Sequence, residues 1–356
     1  MRKRVAITTG AALAALACMA SGQVAAAAAP AVASAGWSAR GVLGEPPALG
    51  IINQVVDPPA GVDYVLASAG HGYRLRRMPL SGAFVTVGPT FPVFGISLGA
   101  GSVWVYGARP AGHSVSLALY QVNRSTLAVT RSWQLSGNQS RSGFVAVAPG
   151  GSGTEWVGFL RTVLRINASS GAIVSRIRLH SGLTVSDLSV DPAGRHLYVV
   201  ANTSVSGSAV VEFDPASLRE LASNSRGDLR FSVGGASATA VPGGVWISFR
   251  TGMLGETLLL SQRNLRMVKL PGATKPRSLF HWVMFASTEY AGRSLYLARQ
   301  DGIIACLNPR TGAVRSRGRL SQLVNAGQLL QAGRHGRPLY GLSPSALIAI
   351  SSPAAC

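Results

Sequence analysis

The chain has 356 residues, 47% hydrophobic and 13% charged, which excludes a disordered polyelectrolyte and supplies apolar surface for one large core or two ordinary ones. Glycine is abundant, at 42 residues, and long charged helix formers are few, so short strands and tight turns are favoured over long helices. Basic side chains outnumber acidic ones 33 to 13, a net charge of +20, but the arginines are scattered singly or in short groups such as Arg76-Arg77 and Arg315/Arg317/Arg319. That pattern predicts weak, salt-sensitive contact with polyanions, and no run of basic residues interleaved with aromatics signals a single-strand nucleic-acid binder.

Residues 1–35 read as an address. Arg2-Lys3-Arg4 form a basic start, Val5 to Ala20 an apolar run too short to span a bilayer comfortably, and small residues follow. This is the form of a cleavable secretory signal, with cleavage expected between Ala27 and Ala35. Lipidation at Cys18 is the less favoured alternative, because Leu16 stands one place from where a lipidation box has its leucine. Removal of Cys18 leaves Cys306 and Cys356 as a candidate disulfide pair in an oxidising compartment.

Residues 36–356 carry a repeat. A glycine turn precedes an aromatic residue in an apolar strand seven times, at Tyr64, Trp104, Trp156, Tyr198, Trp246, Tyr296 and Tyr340, spaced 40 to 52 residues apart. Each aromatic is followed by a second apolar strand that ends, in most units, in Asn, Asp or Ser before a small-residue turn, as in Leu164-Arg-Ile-Asn167 and Val211-Glu-Phe-Asp214. Each is preceded by a short strand of small and β-branched residues, as in Phe144 to Ala148. Four strands in about 45 residues, repeated seven times, predict an all-β, seven-bladed β-propeller of four-stranded antiparallel blades. The blades are expected near 48–92, 93–140, 141–182, 183–230, 231–274, 275–322 and 323–356, with Trp37 to Gly44 as the closing strand of the last.

The segment Leu188-Ser-Val-Asp-Pro-Ala-Gly-Arg-His-Leu-Tyr-Val-Val-Ala-Asn202, with Val210 to Asp214, resembles the YVTN-type repeat of secreted and surface-layer propellers. The turn Leu307-Asn-Pro-Arg-Thr-Gly312 is similar to that of the related quinoprotein-like repeat. The resemblance implies the fold and an exported life. It does not imply one activity, since such propellers include binders, scaffolds and enzymes.

Candidate chemistry is sparse. Gly95-Ile-Ser97-Leu-Gly99 has the letters of a nucleophile elbow, but an inner propeller strand lacks the strand-to-helix turn that exposes such a serine. No histidine spacing signals zinc. His196 and His335 fall in turns and are expected to be solvated, and Asp191 and Asp214 suit turn positions. By register, Asn53, Gly95, Gly143, Asp187, Ser237, His281 and Gln328 approach the channel mouth, with Trp282 beside His281. Propeller lactonases and quinoprotein dehydrogenases hold calcium there through carboxylate and amide oxygens, which would engage Asp187, Asn53 and Gln328 here. One carboxylate is little for a hard cation, so no cofactor is expected and calcium is the alternative. The expected function is a monomeric, non-enzymatic binding or scaffold module of the cell envelope or extracellular space. Its partner would be an envelope protein, polymer or small ligand. The alternative is a metal-assisted, lactonase-like hydrolase with its site around Asp187, Asn53 and His281.

Overall fold

Seven antiparallel sheets follow one another along the chain, and no helix occurs among the described residues. The computed structural model describes residues 36–44, 51–81, 85–93, 95–99, 101–111, 114–135, 145–203, 207–224, 236–251, 254–268, 286–299, 301–324, 328–332, 339–342 and 346–356. The expected signal segment lies outside them. Blade 1 comprises β2 (Ile51–Asp57), β3 (Val62–Ala69), β4 (Gly72–Pro79) and β5 (Thr86–Phe91), and blade 2 comprises β6 (Gly95–Leu98), β7 (Ser102–Ala111), β8 (Ser114–Asn123) and β9 (Val129–Leu135). Blade 3 has β10 (Val145–Gly151), β11 (Thr154–Phe159), β12 (Thr162–Asn167) and β13 (Ile173–Arg178). Blade 4 has β14 (Leu183–Val190), β15 (Leu197–Thr203), β16 (Ser208–Phe213) and β17 (Glu220–Asn224).

Blade 5 shows three strands among the described residues, β18 (Ala236–Val241), β19 (Gly244–Thr251) and β20 (Leu254–Ser261). The bridge between Leu260 and Met267 marks the start of pairing where other blades have a fourth strand. Blade 6 returns to four, β21 (Ala286–Ala291), β22 (Ser294–Arg299), β23 (Asp301–Leu307) and β24 (Val314–Val324). The last sheet contains β25 (Gln328–Ala332), β26 (Leu339–Leu342), β27 (Ala346–Ser351) and β1 (Ser38–Gly44), with Ser38 opposite Ser351 and Gly44 opposite Ala346. First strands pack in succession, β2 to β6, β10, β14, β18, β21, β25 and back to β2, which closes the ring. This is the seven-bladed propeller that the repeat predicts.

The core lies between the blades. Seven apolar clusters occupy the seven seams, and each holds one aromatic of the repeat. Trp104 projects from blade 2 onto Val145, Val157, Leu164 and Ile166 of blade 3, and Trp246 from blade 5 onto Leu295, Leu297 and Leu307 of blade 6. Alternation within β15 shows how one strand serves two seams. Leu197, Val199 and Ala201 face blade 3, while Tyr198 and Val200 face blade 5. Burial on both faces is why these strands read as continuous apolar runs rather than as alternating ones.

The turns after the third strands are equally regular. Residues 123–128, 167–172, 214–219, 261–266 and 308–313 each close a backbone bond from the fifth residue to the first, at 2.7 to 3.0 Å. In four of them the first side chain is Asn or Asp and accepts backbone N–H bonds from the following residues, such as Asn308 Oδ1 from Arg310 and Thr311. The fifth residue takes a positive φ, and only Gly171 and Gly312 fit that requirement without strain. Leu127, Leu218 and Leu265 accept it at about 1 kcal/mol each. Leu127 and Leu265 are 1% and 0% exposed, each sealing a seam, and burial of a leucine is worth about 2 kcal/mol, so packing wins.

At the chain's end the tail takes over the role of a turn. Cys356 is disulfide-bonded to Cys306 on β23 across a sequence separation of 50, with the Cα atoms 5.8 Å apart, and its carbonyl accepts a 2.6 Å bond from Ser294 Oγ. Trp37, just before β1, is buried edge-on against Tyr296 and donates from Nε1 to Ser316 Oγ. It fits because Gly318 has no side chain; a Cβ there would stand 2.6 Å from the indole. Cys356→Ala is expected to lower the unfolding free energy by about 3 kcal/mol, by releasing a long loop in the unfolded chain. Denaturant titration against the wild type measures this, and equal midpoints would show that the bridge does not hold the last seam.

Candidate functional site

Of the expected channel-mouth residues, Asn53, Asp187 and Gln328 lie on the first strands of blades 1, 4 and 7. Asp187 sits on β14 just after a bulge at Ser186, and Asn53 holds the corresponding place on β2 after a bulge at Ile52; both are half-buried. Gln328 opens β25 opposite Leu342. His281, Trp282 and Gly143 lie outside the described residues. Ser97 lies on β6 opposite Trp104, in plain strand rather than at a strand-to-helix turn.

Asp187 is committed to the neighbouring blade. Its Oδ1 accepts the N–H of Leu188 at 2.9 Å, and Oδ2 accepts the N–H of Ala238 on β18 at 2.7 Å. Two residues on, Ser189 Oγ accepts the N–H of Ala240, and Thr239 Oγ1 meets Thr288 Oγ1 on β21 at 2.8 Å. Side chains thus satisfy the backbone groups that face each other across the ring, where no strand ladder runs. Burial raises the Asp187 carboxyl to about 6 despite the two N–H donors. Tyr106 lies in its field, the phenol pressed over Gly95, where a Cβ would stand 2.5 Å from the ring. Burial, and then the Asp187 carboxylate, push that phenol up.

A second polar group, unforeseen in the sequence, lies at the seam of blades 4 and 5. His196 is not solvated. Its Nδ1 bonds Glu212 Oε1 at 2.7 Å and its Nε2 meets Gln262 of blade 5, with the histidine side chain 18% and the glutamate 2% exposed. Burial raises the Glu212 carboxyl, and the bond from His196 opposes that rise. The three line a shallow crevice of about 480 Å³ with Leu221, Gly243, Ser261 and Arg263. Asp191 behaves as a turn former, taking the N–H groups of Arg195 and His196 on Oδ1.

The group is one instance of a repeated lock. Glu212 stands opposite the seam aromatic Tyr198, and His196 two residues before it. In blade 2, Gln121 stands opposite Trp104 and donates to Ser102, two residues before it, and to the Ala168 carbonyl in the next blade's turn. In blade 3, Arg165 stands opposite Trp156 and donates to Thr154. In blade 6 the place belongs to Cys306, opposite Tyr296, and its partner is Cys356. A polar residue opposite the seam aromatic in blades 2, 3 and 4 was the available signal, and Val211-Glu-Phe-Asp214 already contained it.

The fold is similar to that of BamB from Moraxella catarrhalis, with TM-score 0.53 and 16% identity over 84% of each chain. It is similar also to the WD40 domain of Neurospora crassa Pan2, with TM-score 0.59 and 12% identity over 91% of this chain and 97% of that one. A chain of a mitotic checkpoint complex matches with TM-score 0.60 and 10% identity over 99% of both. At such identities the likeness establishes the fold alone. No family model and no curated protein matches the chain in sequence.

Two outcomes test these assignments. Asp187 binds its proton more tightly folded than unfolded, so its contribution to stability is present at low pH and is lost as pH rises from about 4 to about 6. Thermal unfolding across that window should show a fall that Asp187→Asn removes; parallel curves would place the carboxyl at its ordinary value. His196→Ala should destabilise by about 2 kcal/mol by leaving a buried carboxylate without its partner. Adding Glu212→Gln should recover part of that loss, and strict additivity in the double-mutant cycle would dissolve the lock.

Proposed function

We propose that this chain is an exported, non-catalytic propeller of YVTN type that serves as a binding or scaffold module in the cell envelope or outside the cell. The observation that carries the non-catalytic half is the commitment of Asp187: both carboxylate oxygens hold backbone N–H groups, and Ser189 and Thr239 beside it are similarly engaged. A hydrolase at the channel mouth would require that carboxylate to be free for a metal or a water. The export half draws on the Cys306–Cys356 disulfide, a bond that persists in oxidising compartments, together with the basic and apolar start of the chain. With Asp187, Ser189 and Thr239 occupied in this way, the ring offers its outer faces and loops to partners.

Cell fractionation, with intact-mass measurement of the recovered protein under thiol blocking, tests the reading. A mature chain beginning after one of Ala27 to Ala35, oxidised and found in the envelope or medium, is expected. An intact leader on a reduced cytosolic protein would overturn export. Millimolar calcium should leave the melting temperature unchanged and elicit no lactone hydrolysis; a calcium-dependent shift abolished by Asp187→Ala would instead favour the hydrolase.

A further inference from the structure

The seam between blades 6 and 7 is held by different means from the rest. In blades 1 to 4 and in blade 6 the outermost strand follows the third strand directly along the chain. In blade 7 the outermost strand is β1, which comes from before blade 1 and pairs with β27, so no covalent turn joins the two. Residues 352–356, which follow β27, stand where that turn would be.

This tail and the start of β1 hold each other. Pro353 lies over Gly36, where a Cβ would stand 3.2 Å from the proline ring. The next residue, Trp37, is buried edge-on against Tyr296, in the apolar cluster that also contains Cys306 and Cys356. The Pro353 carbonyl accepts the Cys356 N–H at 3.0 Å, which closes the tail into a turn. Ser294 Oγ donates to the Cys356 carbonyl at 2.6 Å and accepts from Arg315 Nη1 at 2.7 Å. The disulfide to Cys306 ties the tail at its far end, so the turn over Gly36 cannot lift while the bond is intact. Cys306 is 0% exposed and Cys356 half-buried, so an incoming thiolate meets the bond from the Cys356 side.

We propose that the Cys306–Cys356 bond is a redox clasp on β1. Its reduction by a dithiol lets the tail lift from Gly36, and β1 with Trp37 then leaves the seam far more often. Opening bares the Trp37 site between blades 6 and 7 and the backbone edge of β27. One thiolate of the dithiol attacks Sγ of Cys356 and the S–S bond breaks. Cys306 leaves as a thiolate and takes up a proton. The second thiol of the dithiol then closes on the first, which frees Cys356 as a thiol. Two electrons pass to the protein, and the dithiol ends as a disulfide. The clasp is a property of the folded ring and stands apart from export, which fractionation tests.

The test is native-state hydrogen exchange of the full mature chain, oxidised and after treatment with dithiothreitol, with thiols counted by intact mass. Cys306→Ser/Cys356→Ser reproduces the open clasp without reductant; if that variant does not fold, the reduced wild type carries the comparison. Amides of β1 should lose protection at least about tenfold more than those of the outermost strands β9, β13 and β17 in the same sample. Comparison within one sample cancels the general loss of stability that follows removal of a disulfide. Reoxidation should restore β1. Equal losses in all four strands would mean that the bond stabilises the ring as a whole, and would overturn the clasp. A bond that dithiothreitol cleaves only after denaturation would overturn it as well.

Discussion

Everything in this fold depends on one contact made seven times: an aromatic ring from the second strand of a blade inserted against the next blade. A four-stranded blade has two apolar faces and no core of its own, so its stability is a property of its seams. The aromatic is the large residue that fills the seam, and truncation of such a buried Trp to Ala typically costs 3–5 kcal/mol. Closure of the ring gives the terminal seam the same status as the others. There the packing is done by Trp37 from one end of the chain and by the tail that ends at Cys356 from the other.

The seam also dictates where polar groups go. A residue opposite the aromatic points into the same gap, beside the next blade's turn, and can either continue the apolar wedge, as Leu259 does in blade 5, or bond the turn, as Gln121 does. The His196–Glu212–Gln262 group and the disulfide are two more solutions at that position. At the axis the constraint is different. First strands meet without a ladder, so Asp187, Ser189 and Thr239 supply the missing hydrogen bonds. Two sets of polar residues that would attract attention as candidate sites are thus explained by assembly of the ring.

The fold was legible because its determinants are periodic. Glycine turn, aromatic and Asn or Asp turn recur in register, and all seven aromatics are buried at seams. What was illegible depends on partners distant in sequence or without a side-chain signature. Asp187 could be picked out as the lone carboxylate near the axis, but its partner is the backbone N–H of Ala238, which no letter announces. His196 looked like a turn residue and is one, yet its ring is held by residues 16 and 66 positions away. Leucine at the left-handed position of three turns contradicts turn propensity, because tertiary burial outweighs a local conformational penalty.

Stability in this ring resides between blades and therefore cannot be divided among them. Hydrogen exchange of the mature protein in sub-denaturing concentrations of denaturant tests it most directly. Amides in β3, β7, β11, β15, β19, β22 and β26 should converge on one opening free energy, equal to that of global unfolding. Loss of protection by one blade well before its neighbours would contradict it, and would mean that a blade carries a core of its own.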